Sequence, residues 1–325
     1  MKDVMGPFGT IGLIGKHSDA RAAATLRRLA HLLVEQGPAR GVQEVLVAED
    51  NAVDLEAAGV LTGVEVVPRV ALAGRCQLAI VVGGDGTLLS AARTLIDHGV
   101  PILGINHGRL GFLAEVRPQA MAEAIAAVLA GDGHIEARLV LAARIRRVDG
   151  STTPSLNAVN DVVVRNQASI RMIEFETWLS REPSDGSDVG VQGWEFISRH
   201  RADGLIVSTP TGSTAYALSG GGPVLHPDLS SVVLVPICPH TLTDRPIAVP
   251  SARAIRIVQR GMGSNGANMT CDGQVGAALF PGDAVEIHLA PQKLRLVHPR
   301  GYSYFRTLRD KLLWGRAPES PRPGG

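Results

Sequence analysis

Apolar runs and apolar stripes alternate through the first third of the chain. Residues 10–14 read as a buried strand, and Ala22, Leu26, Leu29 and Leu33 follow at helical spacing on one face. Residues 45–47 and 78–82 predict two further strands. The second leads through a glycine turn into a helical stripe of Leu88, Leu89, Ala92 and Leu95. Residues 101–105 predict another strand, and Met121, Ile125 and Val128 another helix. Strands that are apolar throughout and alternate with helices imply a parallel sheet covered on both faces. This region is α/β and Rossmann-like.

From about Glu136 the period changes to two. Ile173, Phe175, Thr177 and Leu179 alternate with Glu174, Glu176 and Trp178. Ile255 and Ile257 flank Arg256, while Val285, Ile287 and Leu289 flank Glu286 and His288. Such alternation predicts half-buried strands in a mostly antiparallel, sandwich-like domain. Residues 181–193, rich in Ser, Asp and Gly, read as a mobile loop between two of these strands. Tyr304, Leu308 and Leu312 recur at helical spacing, predicting a last helix that returns to the first domain. The expected organisation is an α/β nucleotide-binding domain over 1–135, completed by a helix within 300–316. A β-rich dinucleotide-binding domain over 136–299 and a disordered tail over 317–325 make up the rest.

Composition narrows the partners. The 325 residues are 45% apolar and 19% charged, with 32 basic against 31 acidic side chains and a net charge of +1. That balance provides no field to hold nucleic acid or a membrane surface, so an anionic ligand must be held by local geometry. Cys76, Cys238 and Cys271 have no paired spacing and read as buried thiols in a reducing compartment. No run approaches the roughly 18 apolar residues that span a bilayer, and the cytoplasm is the expected location.

Some apparent motifs lack their physical context. Residues 261–266 match the spacing of a dinucleotide fingerprint, but a strand-like segment follows in place of the helix that would receive a pyrophosphate. A hairpin loop is expected there.

Three segments carry chemistry. Gly83-Gly84-Asp85-Gly86-Thr87 lies between a buried strand and a helix, where an open α/β sheet binds ligands. Its glycines permit close approach of phosphate, and a helix beginning near Thr87 offers unpaired N–H groups. Asp85 would repel an anion there unless it faces a hydroxyl or a bound cation. The second segment, residues 203–223, crowds six hydroxyl side chains into 208–216, suited to a ribose or base edge, with Tyr216 as a stacking face. In the third, Asn160 can bond an adenine edge and Asp161 can accept from ribose hydroxyls.

Together these segments resemble the ATP-dependent NAD kinases of bacteria, from Gly12-Leu13-Ile14-Gly15-Lys16 to Tyr302-Ser303-Tyr304-Phe305. Residues 83–88 share their pattern with lipid kinases and phosphofructokinases, whereas 203–223 and Pro239-His240-Thr241-Leu242 are more specific. The resemblance implies an active site between an α/β and a β-rich domain, in a homodimer or homotetramer whose neighbouring subunits complete the dinucleotide pocket. It implies that Asp85 is the general base, with Gly86 beside the substrate ribose. Asn160, Asp161, Arg171, Arg201, Asp203 and Gln274 become dinucleotide contacts, as do Thr214, Ala215, Tyr216, Ala217, Leu218 and Ser219. Asp161 stands where glutamate is common in that family.

The implied reaction moves the γ-phosphoryl of ATP, or of another donor, to the 2′-hydroxyl of the adenosine ribose of NAD. Gly83, Gly84, Gly86 and Thr87 would hold the donor phosphates with Mg²⁺, for which no protein ligands are assigned. Two other readings stay open: a lipid or sugar kinase using the same turn, and a non-catalytic NADP sensor.

Overall fold

The structure is a computed structural model that describes residues 7–52, 62–108, 111–166, 172–187, 189–241, 243–260 and 267–313. Five parallel strands begin the first sheet: β1 (Thr10–Gly15), β2 (Glu44–Ala48), β3 (Glu65–Val67), β4 (Leu78–Gly83) and β5 (Ile102–Asn106). They lie in the order β3-β2-β1-β4-β5. The helices α1 (Ala20–Gln36), α2 (Arg69–Arg75), α3 (Asp85–Leu95) and α4 (Met121–Leu129) connect or flank them. Asp19 starts α1 by accepting the N–H groups of Arg21 and Ala22 at 3.0 and 3.2 Å. The predicted stripe of Ala22, Leu26, Leu29 and Leu33 is buried against Leu13, Ile80 and Val82. Because the chain passes from β1 outward through β2 and β3 and returns beside β1 as β4, the strand order reverses there. An open α/β sheet takes ligands at the carboxyl ends of its strands at such a reversal, and the Gly83–Thr87 turn sits at that end of β4.

Two more strands extend this sheet beyond β5: β6 (Gly133–Arg138) and β19 (Leu294–Pro299). β19 was expected with the β-rich domain, yet it pairs parallel to β5 through Leu296 and Ile102. The chain divides into two compact units, Ala137–Leu294 and the described residues on either side of it.

Within Ala137–Leu294 are β7 (Leu141–Arg146), β8 (Leu156–Ala158), β9 (Asp161–Asn166), β10 (Ile173–Pro183), β11 (Trp194–Ala202) and β12 (Gly204–Ser208). β13 (Ser231–Ile237), β14 (Ile247–Pro250), β15 (Arg253–Gln259), β16 (Ala267–Cys271), β17 (Gln274–Leu279) and β18 (Ala284–Leu289) follow. They form two six-stranded antiparallel sheets, β11-β10-β15-β18-β7-β8 and β14-β13-β12-β9-β16-β17. Phe175, Ile257 and Ile287 from one sheet share a core with Val162, Val164, Leu205, Val207 and Met269 from the other. This is the sandwich that period-two alternation requires.

Some expectations change. β10 continues through Pro183, where it pairs with Arg253, and a 3-10 turn occupies Val191–Gly193, so the expected loop shortens to 184–190. Cys76 and Cys271 are buried, with burial pushing the Cys76 thiol up to about 12, but Cys238 is exposed at φ 44°. Far earlier in the chain a four-residue helix, α5 (Tyr216–Ser219), closes the hydroxyl-rich segment, and the final helix, α6, covers Tyr304–Leu312. The 261–266 segment, Leu242 and the 317–325 tail lie outside the described residues. Among the described residues no helix is long and apolar enough to cross a membrane.

Candidate functional site

The first part of the site is the turn from β4 into α3. The helix begins at Asp85, two residues earlier than expected, with Gly84 as its N-cap residue. Thr87 and Leu88 both donate to the Gly84 carbonyl, at 3.0 and 3.1 Å. The N–H groups of Asp85 and Gly86 therefore remain as first-turn donors with no acceptor inside the helix.

Asp85 does not cap α3. Its carboxylate turns to the loop after β5, where Oδ2 accepts from Phe112 N at 2.8 Å and Oδ1 from Leu113 and Ala114 N at 3.2 and 3.1 Å. A carboxylate has about four acceptor positions, so three N–H donors fix its plane and leave one position, on Oδ2, for another donor. The loop itself is tied to β5. Asn106, buried at the end of that strand, donates to the Ala114 carbonyl at 2.9 Å and accepts from Gly108 N at 2.7 Å. Gly104 allows the approach, since a Cβ there would stand 2.7 Å from Ala114 Cα.

The three glycines of the turn have different reasons to be glycine. A side chain at Gly83 would collide with Thr87. At Gly84 and Gly86 an added Cβ would meet nothing within 4 Å, and neither residue has a positive φ. The fold alone does not require glycine at 84 or 86, so the free space there is available to a ligand.

The second part lies in the sandwich. A cavity of about 330 Å³ is lined by Asn160, Asp161, Val163, Arg165, Ala215, Tyr216, Thr270, Asp272 and Gly273. Asp272, at φ 51°, accepts the N–H groups of Val159, Asn160 and Asp161 at 3.0, 2.7 and 3.3 Å. It thereby does for the Asn160-Asp161 turn what the 112–114 amides do for Asp85, with donor and acceptor exchanged. Burial, and then the charge of Asp272, push the Asp161 carboxyl up to about 7.

The hydroxyl-rich run differs from its expectation. Ser208, Thr209 and Ser213 are fully buried and bond to backbone instead of facing a ligand. Thr209 Oγ1 donates to Val159 O at 2.6 Å and accepts from Gly212 N at 3.1 Å, and Ser213 Oγ donates to Pro210 O at 2.6 Å. Thr214 Oγ1 donates to Thr211 O at 3.2 Å. Gly212 lies so close to Asn160 that a Cβ would stand 2.7 Å from its Cα. The Thr209 bond ties the segment to the chain entering β9, the Ser213 and Thr214 bonds hold its own turns, and Ala215 and Tyr216 come to line the cavity.

Of the remaining sequence candidates, Ala217 is fully buried in a small core with Val163, Ile206 and Val235, and Leu218 and Ser219 complete α5 outside the cavity lining. Gln274 is exposed one residue beyond Gly273. Arg201, near the end of β11, and Asp203, between β11 and β12, are exposed; Gly204, which follows them, pairs with Arg165. Arg165 lines the cavity, but neither Arg201 nor Asp203 does. Arg171 lies outside the described residues. Asn106, the 112–114 loop and the anchoring role of Asp272 were not anticipated. The available signals were a polar residue closing the apolar strand 102–106 and an Asp-Gly pair before β17.

Residues 11–133 match the ATP-NAD kinase N-terminal domain family and residues 159–299 the ATP-NAD kinase C-terminal domain family. An NAD kinase of Nitrosococcus oceani is 42% identical over 95% of this chain and 98% of its own length. One from Pseudomonas putida is 42% identical over 96% and 97%. Among solved structures, yeast NADH kinase complexed with NADH shares the fold at a TM-score of 0.84 and 23% identity, covering 98% of this chain and 91% of its own. An NAD kinase from Archaeoglobus fulgidus in complex with ATP aligns at a TM-score of 0.67 and 25% identity, over 93% and 99%. By both of its domains and over nearly its whole length, the chain belongs to the ATP-NAD kinase family.

Proposed function

We propose that this chain phosphorylates NAD to NADP with ATP, and that Asp85 is the residue that receives the acceptor hydroxyl. The observation that carries this reading is the Asp85 carboxylate, fixed by three backbone amides with one acceptor position left, above glycines 84 and 86 that face open space.

Phosphoryl transfer passes through a loose transition state, so alignment and charge neutralisation do most of the work. The free N–H groups of Asp85 and Gly86 and the open backbone at Gly84 hold the donor phosphates. Asp85 accepts from the adenosine 2′-hydroxyl, aims its oxygen and takes the proton late. The bond from that oxygen to the γ-phosphorus forms as the β–γ bridging oxygen leaves with its electron pair on ADP. Among the described residues no three His, Cys, Asp or Glu side chains gather as a metal site. Mg²⁺ would enter with ATP and supply charge neutralisation at the phosphates, and no residue of this chain is assigned to it.

The sandwich cavity takes the adenosine end of NAD. Tyr216, 41% exposed at its rim, stacks on the base. Asn160 bonds the base edge and Asp161 a ribose hydroxyl. Arg201, Asp203 and Gln274 lie outside this cavity, which supports a homo-oligomer, a dimer or tetramer, in which they serve a neighbouring copy. The substrates support a location in the cytoplasm. The test is to supply MgATP with NAD, NADH, diacylglycerol or fructose 6-phosphate and quantify each phosphorylated product. NADP should dominate; folded protein that makes none overturns the reading. Sedimentation of the same sample checks the oligomer.

A further inference from the structure

The last turn of α6 reaches the loop that holds Asp85. Lys311 Nζ lies 5.2 Å from the centroid of the Phe112 ring, and the Phe112 N–H is one of the three that bind the Asp85 carboxylate. The helix is held in place independently of this lysine. Ser303 caps its start, accepting from Arg306 N at 3.4 Å, and Leu308 and Thr307 are buried beneath it.

Lys311 is half-buried, and among the described residues no carboxylate comes within 4.0 Å of its ammonium. A cation taken partly out of water, leaning on an aromatic face and lacking a close anion, has lost hydration without gaining an ion pair. At the Phe112 N–H the opposite problem exists. If Asp85 accepts the hydroxyl proton, its negative charge must sit close to an anionic phosphoryl group, which costs Coulomb energy unless a cation is nearby.

We propose that Lys311 is a catalytic residue whose ammonium contacts the phosphoryl group in flight and offsets its repulsion by Asp85. This inference rests on the reading of Asp85 given above. Burial pushes the Lys311 ammonium below the ordinary lysine value, while the charge of Asp85 acts in the opposite sense. Lys311 stays protonated throughout: the γ-phosphorus exchanges the bridging oxygen of ADP for the ribose oxygen, and the hydroxyl proton goes to Asp85. A lysine in the last turn also complements the helix dipole, but that is a small effect on stability and would leave turnover alone.

The test compares full-length wild type, Lys311→Met, Lys311→Arg and Asp85→Asn with MgATP and NAD from neutral to alkaline pH, alongside thermal melting. Lys311→Met should melt with the wild type, keep its KM for NAD and lose about 10²-fold in kcat, as when one preorganised donor to a developing anion is removed. Lys311→Arg should recover part of that loss. It should also lack the alkaline fall in kcat that the wild type shows, because a guanidinium does not deprotonate there. A folded Lys311→Met with kcat within about twofold of wild type overturns the proposal. Should that variant not fold, an unchanged alkaline limb in Lys311→Arg overturns it. If Asp85→Asn also turns over normally, the reading of Asp85 itself has failed. If only Lys311→Met does so, the failure is confined to the lysine.

Discussion

Asp161 and Asp272 are two acids at one cavity whose environments divide their roles: Asp272 binds three backbone N–H groups, while Asp161 is left buried beside its charge. Asp272 is thereby committed to shaping the Asn160-Asp161 turn. Asp161 carries the titratable charge of the cavity.

That arrangement makes stability depend on pH. The Asp161 carboxyl stands at about 7 in the fold, above its ordinary value of 3.8, so the folded state binds this proton more tightly than the unfolded chain. Its contribution is full below about 3.8 and is lost as pH rises toward about 7, on the order of 4 kcal/mol across the window. Asp161→Asn removes the ionisation. Its melting temperature should exceed that of the wild type at pH above 7 and converge with it in acid. A melting difference between variant and wild type that stays constant through this window would refute the assignment.

The glycine turn makes a prediction in which stability and activity part company. Gly86 lies within the first turn of α3 with open space around its Cα, so Gly86→Ala should raise stability by up to about 1 kcal/mol. The added methyl would occupy the space assigned to the donor phosphates, so KM for ATP should rise and kcat fall. Gly84→Ala should likewise fold normally and lose activity. Gly83→Ala should instead destabilise the chain, because its methyl meets Thr87. Melting curves and ATP kinetics on the three variants decide; full activity in Gly84→Ala and Gly86→Ala would remove the case for a ligand there.

How much of this was legible beforehand depended on range. The apolar periods of residues 10–14, 22–33 and 78–95 are local signals, and burial follows them closely. The Asn160-Asp161 and Gly83–Thr87 segments were identifiable because their residue types are unusual beside buried strands. What could not be read were contacts set by tertiary placement. Nothing local marks Ala114 as a donor to Asp85, 29 residues away, or Asp272 as a partner of Asn160, 112 residues away. The same limit explains the hydroxyl run. Ser208, Thr209 and Ser213 advertise hydrogen bonding, but only the fold shows that backbone carbonyls take it, Val159 from across the sheet for Thr209 and Pro210 from within the segment for Ser213. β19 joined the wrong domain in the sequence reading for a related reason, since its partner Ile102 lies far back in the chain.

Asp85→Asn should affect both chemistry and structure. An amide oxygen can accept from Leu113 and Ala114 as Oδ1 does, but its NH₂ group then faces the Phe112 N–H that Oδ2 had accepted. Leaving that donor unsatisfied costs about 1–3 kcal/mol, read as a lower melting temperature. Turnover should fall by about 10²–10⁴-fold as general-base help is lost. NAD binding, assigned to the sandwich cavity, should persist in a titration. Near-normal turnover of the folded variant would rule out the base.

His298 supplies a second pH effect of the same sign in a higher window. Its ring is buried between two carboxylates, Nδ1 at 2.7 Å from Glu115 and Nε2 at 2.8 Å from Glu136, and it stacks on Tyr302 at 3.7 Å between centroids. Burial alone would lower its pKa, but hydrogen bonds to Glu115 and Glu136 overcome that and hold it above the ordinary 6.5. The stabilisation is therefore full below 6.5 and is lost as pH rises through the folded value. His298→Ala should cost about 3–5 kcal/mol in mild acid, because it strands two carboxylates around a missing cation. The gap between variant and wild type should narrow as pH rises past 6.5, while the Asp161 effect is already spent near 7. Melting both variants across pH separates the two groups. A His298→Ala deficit that stays constant into the alkaline range would mean that the imidazole is neutral in the fold and that packing against Tyr302, not its charge, holds β19 in place.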